Sequence, residues 1–240
     1  MAKYLDEVGL AHLVERNDAR YVRQVEGKGL STNDFSDEYK KIVDDLNYKK
    51  ITINSLTATN SSNEIGTTVS QTNVAWTLSK EPKTIKIKFG SETEEELETS
   101  ARSKSYTGKT ITANTTITLT VTDERDAVVT KSVTISFQPK VYWGVSQKTS
   151  FETADILGLA SNTLASSRAR TISVNAGAGE YIVYAIPSSF GTPTFNVGGF
   201  DGGFVKASTI SLENAQGYTQ NYDVWRSVNA GLGQTSVTIK

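Results

Sequence analysis

Two glycine-rich stretches are the first residues whose spacing could do chemistry, because closely spaced glycines can cradle a phosphate. They are Gly177-Ala178-Gly179 and residues 198–203. A phosphate loop of the dinucleotide-binding type ends a strand and opens a helix. Here Gly179 is followed by the β-type segment YIVYAI, and no Gly-Lys-Ser/Thr follows either stretch. We interpret both as turns between strands.

The sequence also contains no motif for a catalytic nucleophile or a metal centre. A serine-hydrolase elbow needs Gly-x-Ser-x-Gly, whereas the sequence from Ser188 reads Ser-Ser-Phe-Gly. The single histidine, His12, lies far upstream in a predicted helix, where a lone histidine is usually a surface or packing residue. The chain has no cysteine, which excludes disulfides, thiolate ligands and a cysteine nucleophile. We predict a protein that is not an enzyme, without catalytic residues, cofactor or bound metal.

The carboxylates cluster in one segment, SETEEELETSARSKS at residues 91–105. Consecutive glutamates point in different directions and lack the spaced Asp, Asn and Gly of a calcium loop. We predict a solvated loop or a short charged helix here. Two carboxylates can hydrolyse a glycan. Among 26 acidic residues some pair always has a suitable spacing, so the presence of a pair does not indicate this activity.

Aromatic side chains near glycine-rich turns supply the candidate binding surface: Tyr218, Tyr222 and Trp225. Aromatic rings with polar tips are common where proteins hold sugars or other proteins. Tyr222 and Trp225 point to opposite faces of a strand, so one of them has to be buried. For either residue, we favour packing in the core over contact with a ligand.

The overall charge excludes some partners. With 25 basic and 26 acidic residues the net charge is −1, and the basic residues do not cluster with aromatics. We predict no nucleic-acid binding and no membrane insertion. Asp6, Glu7 and Glu15 interrupt the apolar core that a secretion signal needs, so we expect a protein that is made and left in the cytoplasm.

Residues 1–47 are predicted to be helical. Residues 4–16 are amphipathic, and a second helix begins near an N-cap at Asp34 or Ser36, after a connector broken by glycines. In that helix an apolar stripe recurs at spacings of four, three and four, formed by Phe35, Tyr39, Ile42 and Leu46. A helix of about 12 residues is marginal alone in water. The stripe therefore packs locally on its own chain or associates with other copies.

From residue 48 the apolar period changes to two, which is typical of strands. Strands are predicted around Ile51, Trp76 and Ile87, and a hairpin joins the segment from Ile117 to the segment ending at Phe137 through a polar turn. Short alternating strands around a central tryptophan predict an immunoglobulin-like β-sandwich at residues 48–139. Trp76 is assigned to its core.

After Pro139 a second β-domain is predicted at residues 140–240. A brief helix at residues 154–165 precedes six strands separated by glycines. The predicted strands are 171–174, 181–187, 194–197, 208–212, 222–228 and 235–239. The fold class is therefore mainly β, with a short helical N-terminal segment followed by two sandwich-like domains.

The run ARYVRQ followed by VEGKGLSTNDFSDEYKKIVD, residues 19–44, resembles a segment near the N-terminus of bacteriophage fibre and other virion appendage proteins. There it joins a particle-attached N-terminus to distal domains. The pattern YIVYAIPSSFGTPTFNVGGFDGGF is also similar to one in phage structural proteins. The resemblance implies a homotrimeric head or tail fibre or spike in the virion, although the apolar stripe alone equally allows a dimer.

In such an appendage, residues 1–47 would bind sister copies and other virion proteins. The β-domains would contact a host-surface glycan or protein, or decorate the capsid. A carbohydrate-binding adhesin module of a cell surface is the alternative function.

Overall fold

The computed structural model describes residues 7–18 and 37–240. Phe35, the predicted N-cap at Asp34 or Ser36, and the greater part of the phage-like segment lie outside the described residues. The chain divides into two compact units, Met1–Lys50 and Ile51–Lys240. No helix in the described part of the chain is both long enough and apolar enough to cross a membrane.

The first unit contains two helices, α1 (Glu7–Asp18) and α2 (Asp37–Asn47). Asp37 and Glu38 occupy the first turn of α2, where negative charge complements the positive end of the helix dipole. None of the residues of α2 is buried. The two predicted helices are thus present, and the structure leaves the side chains of α2 on the surface.

Residues 51–139 form two sheets. The strands are β1 (Ile53–Ala58), β2 (Ser62–Glu64), β3 (Thr72–Leu78), β4 (Thr84–Phe89), β5 (Glu95–Leu97), β6 (Ser103–Tyr106), β7 (Thr115–Thr122) and β8 (Val128–Gln138). One sheet has the order β1-β3-β6 and the other β2-β8-β7-β4-β5. All the pairs are antiparallel except β2 with β8.

The alternation of apolar and polar residues explains this pairing. Ile117, Leu119 and Val121 of β7 are buried, while the threonines between them face outward. Trp76 is 2% exposed and packs in one core with residues from both sheets, as predicted. Residues 91–105 correct the prediction of a loop or helix, because they contain β5 and most of β6. β5 is a strand because its backbone pairs with β4.

Residues 140–240 form two further sheets. The elements are β9 (Lys140–Ser146), α3 (Thr153–Leu157), β10 (Ser161–Leu164), β11 (Arg170–Ala176), β12 (Tyr181–Pro187), β13 (Phe195–Val197), β14 (Phe200–Asp201), β15 (Phe204–Glu213), β16 (Thr219–Ser227) and β17 (Gly233–Ile239). The sheet orders are β10-β9-β12-β16-β15 and β11-β17-β13-β14. The mainly β fold is confirmed.

The central strand β12 is buried on both faces. Ile182, Tyr184 and Ile186 face the second sheet. Val183 and Ala185 face the opposite way, in a core that includes Ile156 and Leu159 of the α3 region. This explains why YIVYAIP reads as a continuous apolar run. The predicted helix at 154–165 is shorter than expected, since β10 pairs with β9 within that range.

No strand is shared between the sheets of residues 53–138 and those of residues 140–239, although both groups belong to one compact unit. Contacts join them. Asn214 Nδ2 donates to the carbonyl oxygen of Ile65 at 2.7 Å, and Lys140 Nζ lies 2.9 Å from Glu64 Oε2. At Gly66 two segments of the chain approach so closely that a Cβ would lie 2.7 Å from Tyr218 Cβ.

Replacing Gly66 with alanine is expected to lower the free energy of unfolding by about 2–3 kcal/mol. The backbone has φ +94 there, and the added methyl group would meet Tyr218. Gly108→Ala is the matched control, because its φ is +67 but nothing lies within 4 Å of the added carbon. Backbone strain alone should cost about 1–2 kcal/mol. Thermal unfolding of both variants checks this, and equal losses would contradict the close approach.

Candidate functional site

The predicted association stripe on α2 is exposed in the single chain. Tyr39 is 60% exposed, Ile42 46% and Leu46 80%. Val43, which the sequence interpretation missed, adjoins them on the same face and is also exposed. The available signal was its position four residues after Tyr39, because residues four apart lie on the same face of a helix.

Helix α1 shows the same property. The structure describes fifteen exposed large apolar side chains, and eight of them belong to the two helices. The four in α1 are Val8, Leu10, Leu13 and Val14. The polar residues of the helices pair among themselves, with His12 Nδ1 3.6 Å from Glu15 Oε2 and Lys40 Nζ 3.7 Å from Asp37 Oδ1. His12 is therefore a surface residue, as predicted.

The three candidate aromatic residues do not form one surface, and Tyr222 has the core packing that the sequence favoured for it. Tyr222 is 2% exposed, its hydroxyl donates to the carbonyl oxygen of Lys140 at 2.7 Å, and its ring lies edge-on to Tyr142. This side chain belongs to the core, because strand β16 turns that face toward α3. Its pKa is raised by burial, as expected for a phenol enclosed by apolar groups.

Trp225 points to the opposite face and packs between the sheets. Its ring centroid lies 5.7 Å from that of Phe195, and its indole nitrogen is buried without a hydrogen-bond partner in the described residues. Of the three candidates only Tyr218 is exposed, at 39%. Its backbone N–H donates to Asn214 Oδ1, which places it at the junction between the two groups of strands.

A polar cluster that the sequence interpretation missed surrounds Asp223, a buried carboxylate on β16. Its Oδ1 accepts hydrogen bonds from Ser188 Oγ at 2.7 Å and Thr209 Oγ1 at 2.9 Å. The Nζ of Lys206 lies 2.9 Å from the same oxygen. Burial alone would raise the pKa of Asp223, but the hydrogen bonds from Lys206, Ser188 and Thr209 outweigh it and hold the pKa below its usual value.

This lowered pKa predicts a loss of stability in acid. A carboxylate whose pKa is depressed in the folded state stabilises the fold above its unfolded pKa, near 3.8, and loses that contribution as the pH falls through the folded value. Asp223→Asn should therefore be less stable than the parent protein at pH 7, with the difference shrinking below about pH 4. Urea midpoints between pH 2.5 and 7 measure it. A stability difference between the two proteins that stays constant from pH 2.5 to 7 would contradict a lowered pKa of Asp223.

A cavity of about 310 Å³ opens at the junction between the two groups of strands. Glu64 lines it from β2, Tyr142 from β9, Asn162 from β10 and Glu213 from β15. Residues from 64 to 213 meet here only because the two groups of strands pack together, so no local pattern in the sequence marks the cavity. Among residues 7–18 and 37–240, no three histidine or acidic side chains converge to hold a metal ion.

Comparison with known proteins assigns the chain to no family. No protein-family model matches the chain, and no curated protein matches it. Among solved structures, chitinase ChiA74 from Bacillus thuringiensis aligns over 98% of this chain and 36% of its own length, with 11% identity and a TM-score of 0.29. The chain thus spans about a third of that chitinase, and a likeness this weak carries no argument about fold or activity.

Proposed function

We propose that this protein is a non-enzymatic structural protein of a bacteriophage virion, a fibre or spike-like appendage of the head or tail. The N-terminal helices associate with sister copies, as a homotrimer, and with other virion proteins. The β-domains project from them and contact the host surface or decorate the capsid.

One observation carries the proposal: the exposed apolar side chains are concentrated on α1 and α2. Tyr39, Ile42, Val43 and Leu46 cover one face of an 11-residue helix that buries nothing in the single chain. Such a short helix gains most of its stability from packing its apolar face. Burying one isoleucine or leucine stabilises by about 1.5–3 kcal/mol, so contact between copies yields a substantial gain.

The β-region supports a projecting role. Its cores are closed by apolar side chains from every sheet, and the hydrogen bond and ion pair at residues 64, 65, 140 and 214 tie the two groups of strands together. The N-terminal resemblance to phage appendages agrees with this arrangement. Several weak distal contacts on one particle then add up to firm attachment.

Light scattering on the purified full-length chain tests the assembly. A trimer has three times the chain mass of 26.0 kDa. Labelling phage particles with an antibody against the β-region tests the location, with electron microscopy as the readout. A monomeric protein at micromolar concentration, or particles that carry no label, would contradict the proposal.

A further inference from the structure

The junction cavity contains a polar group that the fold itself does not use. Tyr142 is 3% exposed, yet within the described part of the chain its hydroxyl makes no hydrogen bond. The neighbouring Tyr222 hydroxyl, in contrast, donates to Lys140 and accepts from Gln220. The Tyr142 hydroxyl is thus free to bond to water or to a ligand.

The Tyr142 hydroxyl is not sealed from solvent. Four buried polar atoms of the described residues lack both a partner and solvent contact, and the Tyr142 hydroxyl is not one of them. Since Tyr142 also lines the cavity, its open side faces that space. Burial, and then the charge of Glu64, raises the pKa of Tyr142 to about 12. The hydroxyl therefore keeps its proton and can donate to a ligand.

Two further polar side chains line the cavity without internal partners. Asn162 and Glu213 are exposed, and their side chains make no hydrogen bond among residues 37–240. Asn162 lies directly opposite Tyr142 in the pairing of β10 with β9. Leu157, 41% exposed, adds an apolar wall. The cavity thus offers a donor hydroxyl, an amide, a carboxylate and one apolar surface.

The charges narrow the chemistry of the ligand. The Lys140 ammonium is paired with Glu64, which leaves Glu213 as the remaining charge, so the cavity does not favour an anion. No metal-binding cluster exists among the described residues. Sugar hydroxyls both donate and accept hydrogen bonds, and the C–H face of a sugar ring packs on apolar side chains. The cavity volume of about 310 Å³ suits one such ring, since ligand pockets begin at about 300 Å³.

We infer that the cavity lined by Tyr142, Asn162 and Glu213 binds one sugar residue of a glycan. Tyr142 donates to a sugar oxygen, Glu213 accepts from a sugar hydroxyl, and Leu157 packs against the ring. This inference specifies how the protein would contact a host surface. It rests on the proposed function only in assigning the glycan to that surface. The site lies at the junction and not at the predicted aromatic surface.

The test uses the full-length protein and saturation-transfer NMR with glucose, galactose, mannose, rhamnose and N-acetylglucosamine, followed by an array of bacterial surface glycans. At least one of these sugars should bind saturably, with a dissociation constant on the order of millimolar for a single ring. Tyr142→Phe removes one oxygen that makes no hydrogen bond among the described residues, and it should weaken binding about three- to tenfold. Asn162→Ala should do the same.

Two matched variants control for the substitutions. Tyr181→Phe deletes the same atom at the far end of the sheet, and Asn221→Ala removes an exposed strand amide away from the cavity. Both should bind within twofold of the parent protein. The inference is overturned if no sugar binds, or if Tyr142→Phe and Asn162→Ala bind as the parent does. Light scattering of the same samples reports assembly separately, so loss of sugar binding and loss of the trimer are distinguishable.

Discussion

Ile42→Ser combined with Leu46→Ser should convert the proposed trimer to monomers. Both side chains are exposed in the single chain, so the substitutions remove contacts that only an assembly can make. Losing the burial of two such residues costs about 3–6 kcal/mol per chain. Summed over three chains, this is enough to dissociate a trimer at micromolar concentration. Light scattering should show the mass falling from three times 26.0 kDa to 26.0 kDa.

Lys41→Ser combined with Asp44→Ser is the matched control. It introduces the same two serines into α2 with no change in net charge, on the side of the helix opposite the stripe. Helix propensity changes are small in both variants, and thermal unfolding of the β-region should be the same in all three proteins. A stripe variant that keeps the parent mass would show that these side chains do not hold the assembly together.

Much of the β-architecture could be predicted because one face of each strand is buried. Ile85 and Ile87 alternate with Lys86 and Lys88, and the structure buries the isoleucines. A period of two specifies which residues face the core. The same reasoning located the hairpin ending at Phe137 and the run at Tyr181–Pro187, where apolar residues are continuous.

The prediction failed where pairing with a neighbour decides the structure. The segment Glu95–Leu97 is charged and has low strand propensity, but it pairs with β4 and sets Glu96 opposite Lys86. Ser161–Leu164 lies in a stretch that was predicted to be helical, and it is a strand because it pairs with β9. Hydrogen bonds to an adjacent strand override local preference, and the identity of that strand is not encoded locally.

The candidate sites depend even more on tertiary structure. The Asp223 cluster joins residues from β15, β16 and the Ser188 turn, and the junction cavity joins β2 to β9, β10 and β15. Periodicity indicates which face of a strand is buried, but not which strands become neighbours. One signal did exist: Asp223 lies two residues from Trp225, so both side chains share a strand face, and a carboxylate on a face with a large apolar ring indicates a buried charge with partners.

Asp123→Ala should lower the free energy of unfolding by about 3–5 kcal/mol, the largest effect expected for a single substitution in the β-region. Asp123 is 0% exposed. Its Oδ1 accepts from the backbone N–H groups of Arg125 and Ala127, each at 3.0 Å. Its Oδ2 accepts from the N–H of Ile51 at 3.2 Å. The carboxylate thus closes the β7–β8 turn and fixes the first residue of the second unit.

Removing the carboxylate leaves three N–H groups without this acceptor, and each buried donor costs about 1–3 kcal/mol. For a unit of this size the melting temperature should fall by about 10 °C. Asp123→Asn should be intermediate, because one carbonyl oxygen remains to bind the turn. Glu124→Ala is the control, since its exposed carboxylate pairs with Lys80 at the surface, where a salt bridge contributes little to stability. If Glu124→Ala were as destabilising as Asp123→Ala, the stability of the turn would depend on its total negative charge and not on the hydrogen bonds that Asp123 accepts.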